Sequence, residues 1–267
     1  MDQSTSTAIE NLLLSTEETS AKYQELGENY EYPYVFKISK NGQALYFLGS
    51  QHLLDPEDQQ FEAIRKYWQE FLKETNKKDC VVLVEAWENL AEKSKDNPKN
   101  WGESGFTTFL ASEDRVQVFS PEPNRWQVRN ELLKKFTQDE IVYSDFAGIA
   151  YQWNKLKNKP NFEEYIDSYT KIYKKELDWD GYNFSLQNFI RIHNETHDHE
   201  FNENDRDCFY NDYNPATNEV SREEGLIRDK HIVTEIKRLW DEGKNIFIVY
   251  GSGHAIVQEP ALRELLK

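Results

Sequence analysis

Two four-residue phrases, Gly49-Ser50-Gln51-His52 and Gly251-Ser252-Gly253-His254, each place an imidazole three residues after a glycine. With eleven Gly and six His in 267 residues, two such placements, each directly after an apolar run, are not expected from composition alone. An imidazole near neutral pH is a general base, a general acid or a ligand for a divalent cation. Another reactive side chain, Glu85, closes the apolar run Cys80-Val81-Val82-Leu83-Val84. Two neutral imidazoles and a carboxylate make a donor set for a divalent metal with positions left open, where such an ion acidifies water into a nucleophile. A carboxylate at a strand end also serves as a helix cap or an ion-pair partner, and both readings of Glu85 stand.

For these groups to meet, strand ends must come together. Leu45-Tyr46-Phe47-Leu48 and Ile246-Phe247-Ile248-Val249-Tyr250 are β-branched and aromatic runs that read as buried strands. Lys40-Asn41-Gly42-Gln43 separates two apolar runs and predicts a hairpin, so the first His phrase ends its second strand. Asp55-Pro56-Glu57-Asp58 carries helix-start chemistry, and Phe61, Ile64, Trp68, Phe71 and Leu72 recur at helical spacing to about Thr75. Val116-Gln117-Val118-Phe119 follows as a further strand, with Ser120-Pro121-Glu122-Pro123 at its end. The predicted fold is α/β: a mostly parallel central sheet with an N-terminal β-hairpin, crossover helices and a helical insertion over the strand ends. Ligands in such sheets bind just outside the carboxyl ends of the strands.

Residues 1–30, rich in Ser, Thr, Glu and Gln, read as a tail with a short helix around residues 8–14. Residues 31–267 read as a single domain whose insertion spans about 124–219. Within it, 124–156 and 162–177 are helical in pattern, while the polar stretch 193–219 has no periodicity and is expected as a loop. From 221 to 242 a helix returns, with Leu226, Val233, Ile236 and Trp240 on one face and Gly243 at its C-cap. Arg228 falls at the margin of that face, so its guanidinium needs an anion: Glu85, a substrate carboxylate, an oxyanion or a structural ion-pair partner.

Composition excludes several classes. A net charge of −16 without a dense Lys/Arg run repels phosphate backbones and anionic membranes, so no nucleic-acid or membrane partner is expected. The start has no basic segment, and Leu12-Leu13-Leu14 is too short for a leader or a span. Cys80 and Cys208 make a disulfide framework improbable, and the expected compartment is the reducing cytoplasm. Composition leaves a homodimer open. Gly251-Ser252-Gly253 opens like a dinucleotide fingerprint, but Ile256 occupies the third glycine position, which excludes a nicotinamide role there. In His193-Asn194-Glu195-Thr196-His197-Asp198-His199, the zincin order is absent; His193 and His197 would share a helix face as a secondary metal site, or the stretch is a solvated loop.

The set Gly49, His52, Glu85, Arg228, Gly251 and His254 resembles the TraB/Tiki superfamily, related to the ChaN and erythromycin esterase folds, over about residues 46–88 and 225–266. The resemblance implies an α/β domain and, for Tiki-like members, a metal-dependent peptidase using manganese or cobalt, with zinc also compatible with the donors. Others in the wider group are esterases or haem binders. The expectation is therefore a metallopeptidase-like hydrolase acting on a peptide or small-molecule ester, with His52, Glu85 and His254 as ligands. Arg228 would stabilise developing negative charge, and Glu122 would act as general base or as a contact behind the ligands. Two alternatives remain: a metal-independent esterase with His52 as base oriented by Glu85, and a binding protein that holds a peptide, haem or another small ligand without turnover.

Overall fold

Asn41 and Gly42, at φ 54° and 81°, form the two-residue turn between β1 (Tyr34–Lys40) and β2 (Gln43–Ser50), which pair antiparallel with Lys40 opposite Gln43. Positive φ at both positions matches the twist of the flanking strands, and this is why Asn-Gly predicts a hairpin. The computed structural model describes residues 8–27, 30, 32–52, 57–85, 98–177 and 179–267. Asp55 and Pro56 lie outside the described residues, but the helix they were expected to start, Gln59–Thr75, is present, with the Asp58 side chain accepting from the Gln60 N–H at 2.8 Å. It leads into β3 (Cys80–Val84), and β4 (Gln117–Phe119) follows the helix Gly102–Glu113.

The last strand, β5 (Asn245–Gly251), inserts between β2 and β3, giving the order β1-β2-β5-β3-β4 with every pair after the hairpin parallel. The protein is thus α/β with a mostly parallel sheet. Register sets Ser50 opposite Gly251 and Val84 opposite Val249, so β2, β5 and β3 end nearly level. Ile246, Phe247, Ile248, Val249 and Tyr250 are all fully buried, as a central strand covered on both faces requires. On one face Phe61, Ile64, Trp68 and Phe71 pack with Phe106 against Tyr46, Leu48, Val82 and Phe247. Each large apolar side chain removed from water there stabilises the fold by about 1.5–3 kcal/mol. The helix Ser252–Leu265 packs along β1 and β2.

A helix spans Thr16–Leu26, started by a capping box in which Ser15 Oγ accepts from the Glu18 N–H and the Glu18 carboxylate accepts from the Ser15 N–H. Ile9 and Leu13 are buried, and the Leu14 N–H donates to the Val257 carbonyl at 3.2 Å.

The chain forms two compact units, Met1–Glu122 with Asp229–Lys267, and Pro123–Arg228. The second holds the helices Arg125–Leu132, Gln138–Lys155, Phe162–Leu177, Leu186–Thr196 and Arg206–Tyr213. Its core gathers Phe146, Trp153, Phe162, Ile166, Phe189 and Phe209. Arg129, 3% exposed, pairs with Asp145 at 2.5 Å and Glu224 at 3.0 Å, and the two carboxylates keep its guanidinium charged despite burial. The expected loop over 193–219 is corrected: helices capped by Ser185 and Asp205 occupy much of it. The second of these buries only Phe209, so no apolar period betrays it in the sequence. Among the described residues, no helix is long and apolar enough to cross a membrane.

Candidate functional site

His52, Glu85 and His254 meet at the level ends of β2, β3 and β5. The Glu85 carboxylate stands between the rings, Oε2 lying 3.6 Å from His52 Nε2 and Oε1 lying 3.7 Å from His254 Nε2. Oε2 also accepts from the Gly251 N–H at 3.0 Å, where the helix Ser252–Leu265 begins, so the partial positive charge of a helix start faces the carboxylate. Each ring is held from behind. His52 Nδ1 bonds Glu103 Oε1 at 2.5 Å and His254 Nδ1 bonds Asp229 Oδ1 at 2.6 Å, and both carboxylates are buried. Gln258, fully buried, donates to the same Asp229 oxygen at 2.6 Å. Gln60 fixes the backbone just before His52, its side-chain oxygen accepting from the Gln51 N–H and its Nε2 donating to the Gln51 carbonyl.

The protonation pattern follows from this geometry. An ionised carboxylate only accepts, so each ring carries a hydrogen on Nδ1 and turns its Nε2 toward Glu85. The two Nε2 atoms and the Glu85 carboxylate face one another across 3.6 and 3.7 Å. A divalent cation is the group such a set suits: ligand atoms on a four-coordinate ion with ~2.1 Å bonds stand about 3.4 Å apart. His52 gives the site its open side, with 63% of its side chain exposed against 17% for His254.

The two glycines act by size. Neither has positive φ. A Cβ on Gly251 would lie 3.0 Å from His52 Nε2 and 3.3 Å from Glu85 Oε2, and one on Gly49 would lie 2.7 Å from Ala255 Cβ and 2.9 Å from Ser252 Cα. Gly49 thus lets the last helix start against the end of β2. Gly49→Ala drives a methyl into the Ala255 side chain and the Ser252 backbone and is expected to destabilise the sheet unit by about 1–3 kcal/mol, read as a lower denaturant midpoint with unchanged slope.

The other expected groups are placed differently. Arg228 is half-buried, as its place on the helix Glu219–Asp241 implied, but the residue of that helix that bonds His254 is its neighbour Asp229. Glu122 is half-buried after β4, and the carboxylates that bond the two rings through Nδ1 are Glu103 and Asp229. Glu103, Asp229, Gln60 and Gln258 were not anticipated. Asp229 lies three residues after Leu226 and four before Val233, an acid on the apolar stripe, and that was a readable signal.

No family model, curated protein or solved structure matches this chain. Function has to be argued from the site itself.

The three-histidine stretch is helical up to Thr196 rather than a solvated loop, and His193 is fully buried. Burial, reinforced by the neighbouring His197 and His199, holds His193 below the ordinary imidazole range. Burial and the nearby Asp212 push the Cys208 thiol up to about 12. Cys208 itself lies in the helix Arg206–Tyr213, not in a loop, and both cysteines are free.

Proposed function

We propose that this protein is a metal-dependent hydrolase of the TraB/Tiki type, a metallopeptidase in which His52, Glu85 and His254 hold a divalent cation of the manganese, cobalt or zinc class. The observation that carries this reading is the pair of imidazole Nε2 atoms aimed at one carboxylate, each ring locked through Nδ1 by a buried acid. A bound cation would supply acidified water and a polarised carbonyl. The chain's own residues do the rest. Glu103 and Asp229 hold both rings through Nδ1 and so orient Nε2 toward the cation, and the Gly251 N–H fixes the Glu85 carboxylate. His52, the exposed member, faces the side from which a peptide or ester enters. Arg228 takes the role the family resemblance gives it, offsetting negative charge on the carbonyl oxygen. Two free thiols fit work in the reducing cytoplasm.

The test is turnover of a peptide library and a panel of short-chain esters by the full chain, before and after exhaustive chelation. Hydrolysis that vanishes with chelator and returns with manganese, cobalt or zinc is the expected result. One observation favours a second reading: the short bond from Glu103 to His52 also makes a base and its orienting acid. Ester turnover that survives chelation and is lost in His52→Ala would replace the metallopeptidase with that metal-free esterase. A ligand recovered intact after long incubation would replace both with a binding protein.

A further inference from the structure

Four side chains in the helical unit converge without using the groups described above. His193 lies in the last turn of the helix Leu186–Thr196 and His197 is the residue that caps its end, with their rings parallel and 4.2 Å between centroids. Cys208 and Asp212 stand one turn apart on the helix Arg206–Tyr213. One ligand-type atom from each of the four lies within 4.8 Å of all the others.

Hydrogen bonding fixes what those atoms offer. Tyr143 has one phenolic proton and places it on Asp212 Oδ2 at 3.0 Å, since an ionised carboxylate has none to give. The Tyr143 oxygen, 2.6 Å from His193 Nδ1, must therefore accept from that nitrogen, and His193 Nε2 is left as a bare lone pair. That atom is buried and has no hydrogen-bond partner, in a residue with 0% exposure. His197 lies between two acceptors, its Nδ1 3.1 Å from the His193 carbonyl oxygen and its Nε2 3.2 Å from Asp212 Oδ1, so with its hydrogen kept on Nδ1 the ring yields Nε2 to a cation that displaces the bond to Asp212. The Cys208 thiol has the same carboxylate for a partner, at 3.5 Å. One bare, buried imidazole nitrogen, a second imidazole nitrogen, a carboxylate and a sulfur thus surround one point. Burial of an unsatisfied acceptor costs about 1–3 kcal/mol.

We propose that His193, His197, Cys208 and Asp212 bind a zinc-class divalent cation that braces the two helices. Two nitrogens, one thiolate and one carboxylate oxygen are the donor types of a closed four-ligand site, and the sulfur selects a borderline-soft ion over magnesium or calcium. On binding, the ion takes the Cys208 sulfur as thiolate and the thiol proton leaves to solvent. Tyr143 holds both His193 and Asp212, so it positions two ligands at once. The site stands independently of the hydrolase reading, and its donors include a sulfur that His52, Glu85 and His254 lack.

That sulfur provides the test. The full chain is freed of metal, titrated with Co(II), and followed by the thiolate-to-cobalt charge-transfer band and the intense visible bands of a four-coordinate ion. The expected result is that the wild type and His254→Ala both show the bands, whereas Cys208→Ser loses the charge-transfer band and binds one ion fewer. Cys80→Ser should behave as wild type. Zn(II) should displace the cobalt and raise the thermal midpoint of the wild type more than that of Cys208→Ser. Absence of the charge-transfer band in folded wild type, or its survival in Cys208→Ser, would overturn the proposal. Circular dichroism of Cys208→Ser, a near-isosteric change, establishes that the loss is not unfolding.

Discussion

Glu85→Gln is expected to lower kcat/KM at least about a thousandfold, about 4 kcal/mol of transition-state stabilisation, and to weaken divalent-cation retention while leaving the fold intact. The substitution separates charge from shape. An amide oxygen still accepts from the Gly251 N–H, and the bond from Ser104 Oγ to the Glu85 backbone carbonyl, 2.9 Å, does not involve the side chain. What disappears is the negative charge between the two rings, the counter-charge that Glu85 would offer a cation. The helix start beside Glu85 loses its anion as well, but that interaction is worth only about 0.3–1 kcal/mol, so stability should barely move. Steady-state kinetics with equilibrium dialysis of the cation and far-ultraviolet circular dichroism reads all three quantities. Unchanged kcat/KM in a folded Glu85→Gln protein would remove Glu85 from the reaction.

The meeting of His52, Glu85 and His254 was legible because each of them sits where a local pattern ends. Asn41-Gly42 announces the hairpin, the unbroken apolar runs of β3 and β5 announce strands covered on both faces, and Gly49 and Gly251 mark places where chains approach closely. The supporting layer was far less legible. Glu103 lies in a helix whose neighbouring Gly102, Ser104, Gly105 and Phe106 are buried on all sides, so the helix has no polar face against which a lone acid would stand out. Asp229 was the exception, an acid set directly on the apolar arc of its helix beside Arg228 at the margin. In the helical unit, 124–156 and 162–177 follow apolar periodicity, while Arg206–Tyr213 turns inward Cys208 and Asp212 beside its single buried aromatic, Phe209. An interior surface made of titratable groups leaves no hydrophobic period to read.

Removing the supports should show how much of the site they carry. Asp229→Ala is expected to reduce cation retention and kcat/KM about 10–100-fold, Glu103→Ala similarly, and the double substitution about 10²–10⁴-fold, because each acid holds a different ring. Asp229→Asn discriminates a positioning role from a merely structural one. In the native site one oxygen, Asp229 Oδ1, accepts from both His254 Nδ1 and Gln258 Nε2. An asparagine oxygen pinned by Gln258 can take the same place, so the ring keeps its tautomer and most of the activity should be rescued. Among the described residues no side chain clamps Glu103 in its contact with His52, so in Glu103→Gln the amide can turn its NH₂ toward Nδ1. The ring hydrogen would then move to Nε2, pointing at Glu85, and block the lone pair the site depends on. Glu103→Gln should therefore be nearly as damaging as Glu103→Ala, whereas Asp229→Asn should be far milder than Asp229→Ala. Equal losses for both amide variants, measured as kcat/KM and as retained cation per chain, would show that the acids act through charge alone rather than by orienting the rings.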